Sequence, residues 1–153
     1  MKSPEETVVF GTEDLLLSLC NSVTRVLTVA SGSLTGLPHV HLDFDLPIKG
    51  VFHTDCPSYY HYGKPGESEA EFVTRITDNL EQMILREGPD TVAAFIAEPI
   101  NGSGGVIVPP AGYFERVQEI LKKYDVLFLV DEVICGFGRM GAMFGSEALN
   151  LRP

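Results

Sequence analysis

Short, unbroken apolar runs alternate with two amphipathic segments in this sequence, and this order limits the folds that the chain can adopt. The runs cover residues 50–54, 91–97 and 126–130. Because they are apolar without alternating, they are typical of strands that are buried on both faces. The order strand–helix–strand–helix–strand favours a right-handed parallel sheet. We therefore predict an α/β fold with a parallel sheet.

The first amphipathic segment is predicted to be a helix that begins after Ser68. Glu71 follows three residues later, and the pair forms a capping box that satisfies backbone N–H groups at a helix start. The segment ends at Gly88-Pro89, because glycine accepts the left-handed cap and proline cannot continue a helix. The residues expected on its buried face are Phe72, Ile76, Leu80, Met83, Ile84 and Leu85.

A second helix is predicted after Pro109-Pro110. Lys122 and Lys123 lie in its last turn, where the helix dipole favours positive charge. The residues expected on its buried face are Tyr113, Phe114, Val117, Ile120, Leu121 and Tyr124. One apolar side is what a helix needs in order to pack on a sheet.

The first 66 residues give weaker signals. A helix capped by Thr12 and a strand over 23–30 both fit the apolar residues near the N-terminus. Residues 31–66 contain many turn formers and all four histidines. We expect this stretch to be a long, partly irregular loop around the strand at 50–54.

Charge and composition argue against several classes of protein. Eleven Lys and Arg residues against 21 Asp and Glu give a net charge of −10, which disfavours binding to nucleic-acid phosphates. The most apolar stretch, 15–30, contains Asn21 and Arg25 and is too interrupted to span a membrane. Acidic residues near the N-terminus disfavour a signal peptide. Three widely spaced cysteines are typical of reduced thiols, so we expect a cytoplasmic protein.

Two carboxylates follow predicted strands that we expect to be neighbours. Glu98 comes after the run at 91–97, and Asp131 comes after the run at 126–130. Open parallel sheets bind ligands at the carboxyl ends of their strands, although an acid at a strand end can also simply cap a helix. Glycine-rich segments at 101–105 and 136–139 follow these carboxylates. They either let the backbone approach a ligand or supply turns.

The order and spacing of several motifs point to a family. This chain resembles the class III pyridoxal-phosphate-dependent aminotransferases in four segments: 33–39 (SLTGLPH), 98–110 (EPINGSGGVIVPP), 128–139 (FLVDEVICGFGR) and 143–147 (MFGSE). The resemblance implies a three-layer, parallel-sheet fragment of the large domain of a fold-type I transferase. It divides the chain into a divergent N-terminal segment, 1–32, and a partial large domain, 33–153.

The resemblance also implies roles for single residues. Asp131 matches the aspartate that pairs with the protonated pyridine nitrogen of the cofactor, where a carboxylate keeps the ring cationic and able to accept electrons. Val133 matches the apolar residue on the ring face, although a valine in such a position is commonly plain core. Glu98 matches an acid near the ring. Arg139 could meet either a substrate carboxylate or an acid on the surface.

The implied activity is transfer of an amino group between an amine or ω-amino acid and a keto acid, both of them small molecules. Ser103 stands where ornithine- and aminobutyrate-type relatives tend to carry an acid. At this position, the pattern is more similar to amine- or β-alanine:pyruvate-type ω-transaminases.

No residue of this chain matches the Schiff-base lysine of the family, which follows a further strand after the one that precedes Asp131. The lysines present are Lys2, Lys49, Lys64, Lys122 and Lys123. The glycine-serine phosphate cradle of the family, which normally precedes Ser33, is also not found in 1–32. Because the lysine holds the cofactor and moves the proton, we assign no catalytic residue. We expect the chain to be inactive alone and to bind pyridoxal phosphate poorly.

A non-catalytic function is an alternative. A sheet that is part of a larger one exposes an edge and apolar faces, and these favour self-association. The chain could then be a remnant or interaction protein that binds copies of itself. The enzymes of the family are dimers, so we expect a homodimer or homo-oligomer under either interpretation.

A metal site is a further alternative. Histidine and aspartate alternate in one segment and would share one face if that segment were extended, which would suit a divalent transition metal. The residues concerned are His39, His41, Asp43 and Asp45, with His53 and Asp55 repeating the pattern. We assign no metal, because the family resemblance covers this segment.

Overall fold

The computed structural model describes residues 7–11, 28–36, 41–102 and 104–153. The strands in these ranges are β1 (Thr7–Gly11), β2 (Val51–Thr54), β3 (Val92–Ala97) and β4 (Leu127–Val130). The helices are α1 (Val29–Leu34), α2 (Tyr59–Tyr62), α3 (Glu69–Glu87), α4 (Tyr113–Lys123) and α5 (Gly145–Ala148), with a 3-10 turn over Pro89–Thr91. Among these helices, none is both long enough and apolar enough to cross a membrane.

The four strands form one parallel sheet in the order β2-β1-β3-β4. This confirms the α/β fold and the parallel sheet, and β3 and β4 are neighbours as expected. The sequence interpretation missed β1, which lies between β2 and β3. Val8, Val9 and Phe10 have good strand propensity, but a run this short cannot be assigned by its period alone.

The capping box predicted at Ser68 and Glu71 is present at the start of α3. The Ser68 hydroxyl accepts a hydrogen bond from the Glu71 amide at 3.3 Å, and a Glu71 carboxylate oxygen accepts one from the Ser68 amide at 2.8 Å. Gly88 ends the helix as predicted, but its backbone, at φ 94° and ψ 111°, lies outside the left-handed helical region. Leu85 was wrongly assigned to the buried face, since it is 46% exposed. It lies about 100° around the helix from Ile84, and that rotation turns it toward solvent.

The apolar core lies between the sheet and the paired helices α3 and α4. Phe95 of β3 is fully buried, and its ring lies 5.9 Å from that of Phe128 in β4. The buried face predicted for α4 is present, with Val117 fully buried at its centre. At the surface, Glu81 of α3 accepts hydrogen bonds from Lys123 Nζ at 2.7 Å and from the Tyr124 hydroxyl at 2.8 Å. These bonds fix the end of α4 against α3.

The strand β4 is buried on one face only, contrary to the expectation for 126–130. Phe128 faces the core, whereas Leu127 and Leu129 are 66% and 45% exposed. In a strand, successive side chains point to opposite faces. Helix α4 covers the Phe128 face, and within the described ranges no helix covers the opposite one. An unbroken apolar run therefore indicates that both faces of a strand could be buried. It does not show which element, if any, covers the second face.

Part of the N-terminal region lies outside the described residues. The helix predicted from Thr12 falls there, and so does most of the alternative strand at 23–30. For residues 29 and 30 the strand prediction is wrong, because Val29 and Ala30 are the first residues of α1. Thr28 caps α1 by accepting a hydrogen bond from the Ser31 amide at 3.1 Å. The expected loop at 31–66 therefore holds α1 and α2 as well as β2.

An ion pair ties the turn before α3 to the helix itself. The Glu67 carboxylate accepts hydrogen bonds from Arg75 Nε at 2.7 Å and from the Lys64 amide at 2.8 Å. Arg75 also donates to the Tyr62 carbonyl at 3.0 Å. The hydrogen bond from Arg75, followed by that from the Lys64 amide, lowers the pKa of Glu67 from its ordinary 4.5 to about 2.

This lowered pKa predicts an acid-dependent loss of stability that depends on Glu67. A carboxyl group whose pKa is depressed by folding stabilises the folded state above its unfolded pKa, and the contribution is lost as the pH falls. At neutral pH, we expect the free energy of unfolding to be higher for the wild-type protein than for the Glu67→Gln variant. The difference should shrink between pH 4.5 and about 2. Urea unfolding of both proteins across this range measures it, and a difference that is constant with pH would contradict the assignment.

Candidate functional site at the carboxyl edge of the sheet

The ends of β3 and β4 place Glu98 and Asp131 beside each other. The two strands pair in parallel through Ala97 and Val130, and the Asp131 amide donates to the Ala97 carbonyl at 2.9 Å. Strand pairing thus continues one residue past β4. The predicted juxtaposition of the two acids follows directly from this register, and both side chains are half-buried.

The Asp131 carboxylate is oriented by the turn that follows it. Its Oδ1 atom accepts a hydrogen bond from the Val133 amide at 3.0 Å. The side chain of Val133 is 74% exposed. The alternative interpretation, that Val133 belongs to the apolar core, is therefore not supported by the described residues. A fixed carboxylate and an exposed apolar side chain therefore stand two residues apart at this edge.

Glu98 closes the glycine-rich loop that follows β3. Its Oε2 atom accepts a hydrogen bond from the Gly102 amide at 3.0 Å, and Asn101 Oδ1 accepts one from the Gly104 amide at 2.7 Å. Asn101 and Ile107 also exchange two backbone hydrogen bonds across the loop. In this structure the Glu98 carboxylate thus shapes its own loop.

Gly102 is required where the two loops of the site pack together. A Cβ atom on Gly102 would lie 2.9 Å from the Ile134 side chain, closer than real Cβ contacts come. Gly105, by contrast, has φ 108° and open space around it, so it serves the turn. The glycines at 101–105 therefore supply a turn and a contact between loops.

Sequence reasoning placed Glu132 beside Asp131 at the strand end but assigned it no role in this site. Its two carboxylate oxygens accept hydrogen bonds from the Gly145 amide at 2.9 Å and the Ser146 amide at 2.7 Å, at the start of α5. These bonds close the loop 133–144 at its base. A Cβ atom on Gly145 would lie 2.7 Å from that of Cys135. The sequence did contain both partners, an acid at a strand end and a Gly-Ser pair 13 residues later. No short-range pattern in the sequence indicates that these two segments contact each other.

The pKa of the Cys135 thiol reflects the negative charge at this edge of the sheet. The thiol is buried beneath the loop and donates to the Ile100 carbonyl at 3.5 Å. Burial raises its pKa, and the nearby carboxylates of Glu132, Glu98 and Asp131 raise it further. The three carboxylates are therefore all close enough to Cys135 to disfavour its thiolate form, and Cys135 stays a protonated thiol at neutral pH.

Arg139 lies on the exposed part of the loop 133–144. Its amide donates to the Gly136 carbonyl at 3.4 Å, and its side chain faces solvent. Within the described ranges no carboxylate forms an ion pair with it. The structure therefore does not bring Arg139 together with the acids at the strand ends.

The alternating histidines and aspartates do not form an extended segment. Residues 42–45 form a turn, with Asp43 at φ 65° and Asp45 at φ 53°. The Nε2 atom of His41 lies 2.8 Å from the carbonyl oxygen of Thr35, within hydrogen-bond distance. His39 lies outside the described residues. Across the described part of the chain, no group of three or more His, Cys, Asp or Glu side chains is placed to hold a metal ion.

Comparison with known proteins gives consistent matches. The family model for aminotransferase class III matches residues 13–153. "Probable gamma-aminobutyrate transaminase 2, mitochondrial" of Oryza sativa subsp. indica is 64% identical over 126 residues, covering 82% of this chain and 25% of the rice protein. "Gamma aminobutyrate transaminase 3, chloroplastic" of Solanum lycopersicum is 63% identical over the same length, covering 82% of this chain and 24% of the tomato protein.

Solved structures agree with these matches. A transaminase with L-alanine has a TM-score of 0.87 at 50% identity, covering 98% of this chain and 33% of its own. An ω-transaminase from Pseudomonas jessenii in complex with PMP has a TM-score of 0.87 at 47% identity, covering 98% of this chain and 31% of its own. The chain thus spans about a quarter of the length of these curated relatives and about a third of these structures.

Proposed function

The chain belongs to the class III aminotransferase family, and from that premise we propose that it supplies part of the cofactor site of a pyridoxal-phosphate-dependent aminotransferase. The observation that carries the proposal is the pairing of β3 with β4, which sets Glu98 and Asp131 side by side. When bound, pyridoxal phosphate supplies an electron-accepting ring for transfer of an amino group. A fixed carboxylate next to an exposed apolar side chain fits such a ring.

Each residue has a distinct part in this proposal. Asp131, with its Oδ1 atom held by the Val133 amide, keeps a proton on the ring nitrogen by electrostatic attraction. Val133 offers its methyl groups to the ring face and excludes water there. Glu98 holds the loop 101–107 near the ring. Arg139, which is exposed on the loop 133–144, binds the carboxylate of the substrate through its guanidinium group.

We further propose an ω-amino acid as the amino donor and a keto acid as the acceptor. The plant relatives are named for γ-aminobutyrate, which makes that compound the first donor to test. An ω-amine is the second candidate, supported by the ω-transaminase structures and by serine rather than an acid at position 103.

The 153-residue polypeptide on its own is proposed not to transaminate. Lys49 precedes β2, and Lys122 and Lys123 precede β4, so all three lie toward the amino edge of the sheet. Lys64 lies in the loop between α2 and α3. Lys64 thus stands in the connection that leaves the carboxyl end of β2, but none of these lysines follows β4, the strand that precedes Asp131.

A chimera tests the proposal. The aligned 126-residue segment of the rice γ-aminobutyrate transaminase is replaced by the matching segment of this chain. We expect the chimera to bind pyridoxal phosphate and to transfer the amino group of γ-aminobutyrate to a keto acid, and the isolated polypeptide to do neither. The parental rice enzyme is the control. A folded chimera that fails to bind the cofactor would count against the proposal.

We propose that the chain forms a homodimer, with residues 33–153 as part of a large domain to which β1 adds a central strand. Exposed apolar side chains on β4 and the loop after it support self-association: Leu127, Leu129 and Phe137. The same surface favours the second candidate function, a non-catalytic protein that binds its own copies. The chimera separates the two functions, because only the first predicts turnover.

The cytoplasm is the proposed compartment. The free thiol of Cys135 supports a reducing environment. Relatives named mitochondrial and chloroplastic make an organelle the alternative.

A further inference from the structure

Asn101-Gly102 is the single Asn-Gly pair in the sequence. In such a pair, the glycine amide nitrogen can attack the side-chain amide carbon of the asparagine, because glycine has no Cβ to block the approach. The new C–N bond closes a succinimide ring, and the side-chain nitrogen leaves as ammonia. Water then opens the ring to aspartate or isoaspartate.

The structure holds both reacting groups away from this reaction. The Gly102 N–H is directed at Glu98 Oε2, 3.0 Å from the nitrogen. Asn101 Oδ1 accepts from the Gly104 amide at 2.7 Å. The Asn101 backbone is fixed on both sides by its bonds with Ile107, at 3.1 and 2.8 Å. Asn101 is also only 5% exposed, which restricts the water that ring opening requires.

We propose that Asn101-Gly102 is a latent deamidation site that Glu98 keeps unreactive. The Gly102 nitrogen must leave the Glu98 carboxylate before it can turn toward Asn101 Cγ. A carboxylate is far too weak a base to take the proton from a peptide N–H, so this hydrogen bond restrains the nitrogen and does not activate it. The inference rests on the loop alone and is independent of the proposed aminotransferase function.

Reaction at this site would alter the carboxyl edge of the sheet. Aspartate or isoaspartate would add a negative charge beside Glu98, and isoaspartate would also lengthen the backbone by a methylene group. A Cβ atom on Gly102 would lie only 2.9 Å from the Ile134 side chain, so a longer backbone at the preceding residue is expected to disturb this contact. The Glu98–Gly102 bond therefore preserves the contact between the two loops of the candidate site.

The test follows deamidation of Asn101 in the 153-residue chain at mildly alkaline pH, by peptide mapping with mass spectrometry and detection of isoaspartate. Hydrogen bonds to charged groups are strong enough that Glu98→Ala should react roughly 10- to 100-fold faster than wild type. Glu98→Gln keeps an uncharged acceptor and should fall between them. Glu71→Ala is the matched control, since it removes a carboxylate that accepts from the Ser68 amide just before α3, and it should react like wild type.

Two results would overturn the proposal. One is deamidation of Asn101 in folded wild type as fast as in the same chain unfolded in urea. The other is a Glu98→Ala rate equal to wild type in protein whose circular dichroism is unchanged. If Glu98→Ala does not fold, Glu98→Gln decides the question, and an unchanged rate in that variant is contradictory in the same way.

Discussion

Replacing Asp131 by asparagine in the rice chimera is expected to lower kcat/KM by roughly 10²- to 10³-fold, the loss typical when one preorganised electrostatic partner is removed. Asparagine has the size of aspartate and can still accept the Val133 N–H bond that orients the side chain. It carries no charge, so it cannot hold a proton on the neighbouring ring nitrogen. The substitution therefore separates the charge of the side chain from its position.

Steady-state kinetics and the absorbance spectrum of the bound cofactor measure this effect. Asp131→Glu restores the charge and displaces it, so it should recover only part of the activity. Asp78→Asn is the matched control, because Asp78 is an exposed carboxylate on α3 that pairs with Arg116, and it should leave both readouts unchanged. If Asp131→Asn keeps full activity and an unaltered spectrum, Asp131 does not pair with the ring.

The second large effect is expected at Glu132. Glu132→Ala should lower the free energy of unfolding by about 2–4 kcal/mol, because two backbone amides lose a charged acceptor. The Gly145 and Ser146 amides then start α5 with no carboxylate to accept from them. The base of the loop 133–144 opens as a result, and the turn that orients Asp131 loses its closure.

Urea unfolding and amide hydrogen exchange in the 153-residue chain measure the change. Exchange at Gly145 and Ser146 should accelerate most. Glu132→Gln keeps one acceptor oxygen but turns an amide group toward the other N–H, so about half of the loss is expected. Glu119→Ala, an exposed glutamate on α4, controls for the charge. Unchanged exchange at both amides in Glu132→Ala would show that this carboxylate does not close the loop.

The sequence determined those features whose partners lie a few residues apart. Ser68 and Glu71 form a reciprocal cap within one helical turn, and Gly88 ends the same helix. Asp131 and Glu98 could be placed at strand ends because each directly follows an apolar run. Strong local signals of this kind depend on backbone geometry and on side-chain period, and both can be read along the chain.

The tertiary structure alone decided which distant groups meet. It inserted β1 between β2 and β3, left Leu127 and Leu129 exposed, and joined Glu132 to amides 13 and 14 residues away. It also folded residues 42–45 into a turn where alternation had indicated an extended segment. Strand order, the cover of a sheet face and loop closure arise from contacts between segments. The free energy of such contacts depends on what packs opposite, and a residue's own neighbours in the chain do not contain that information.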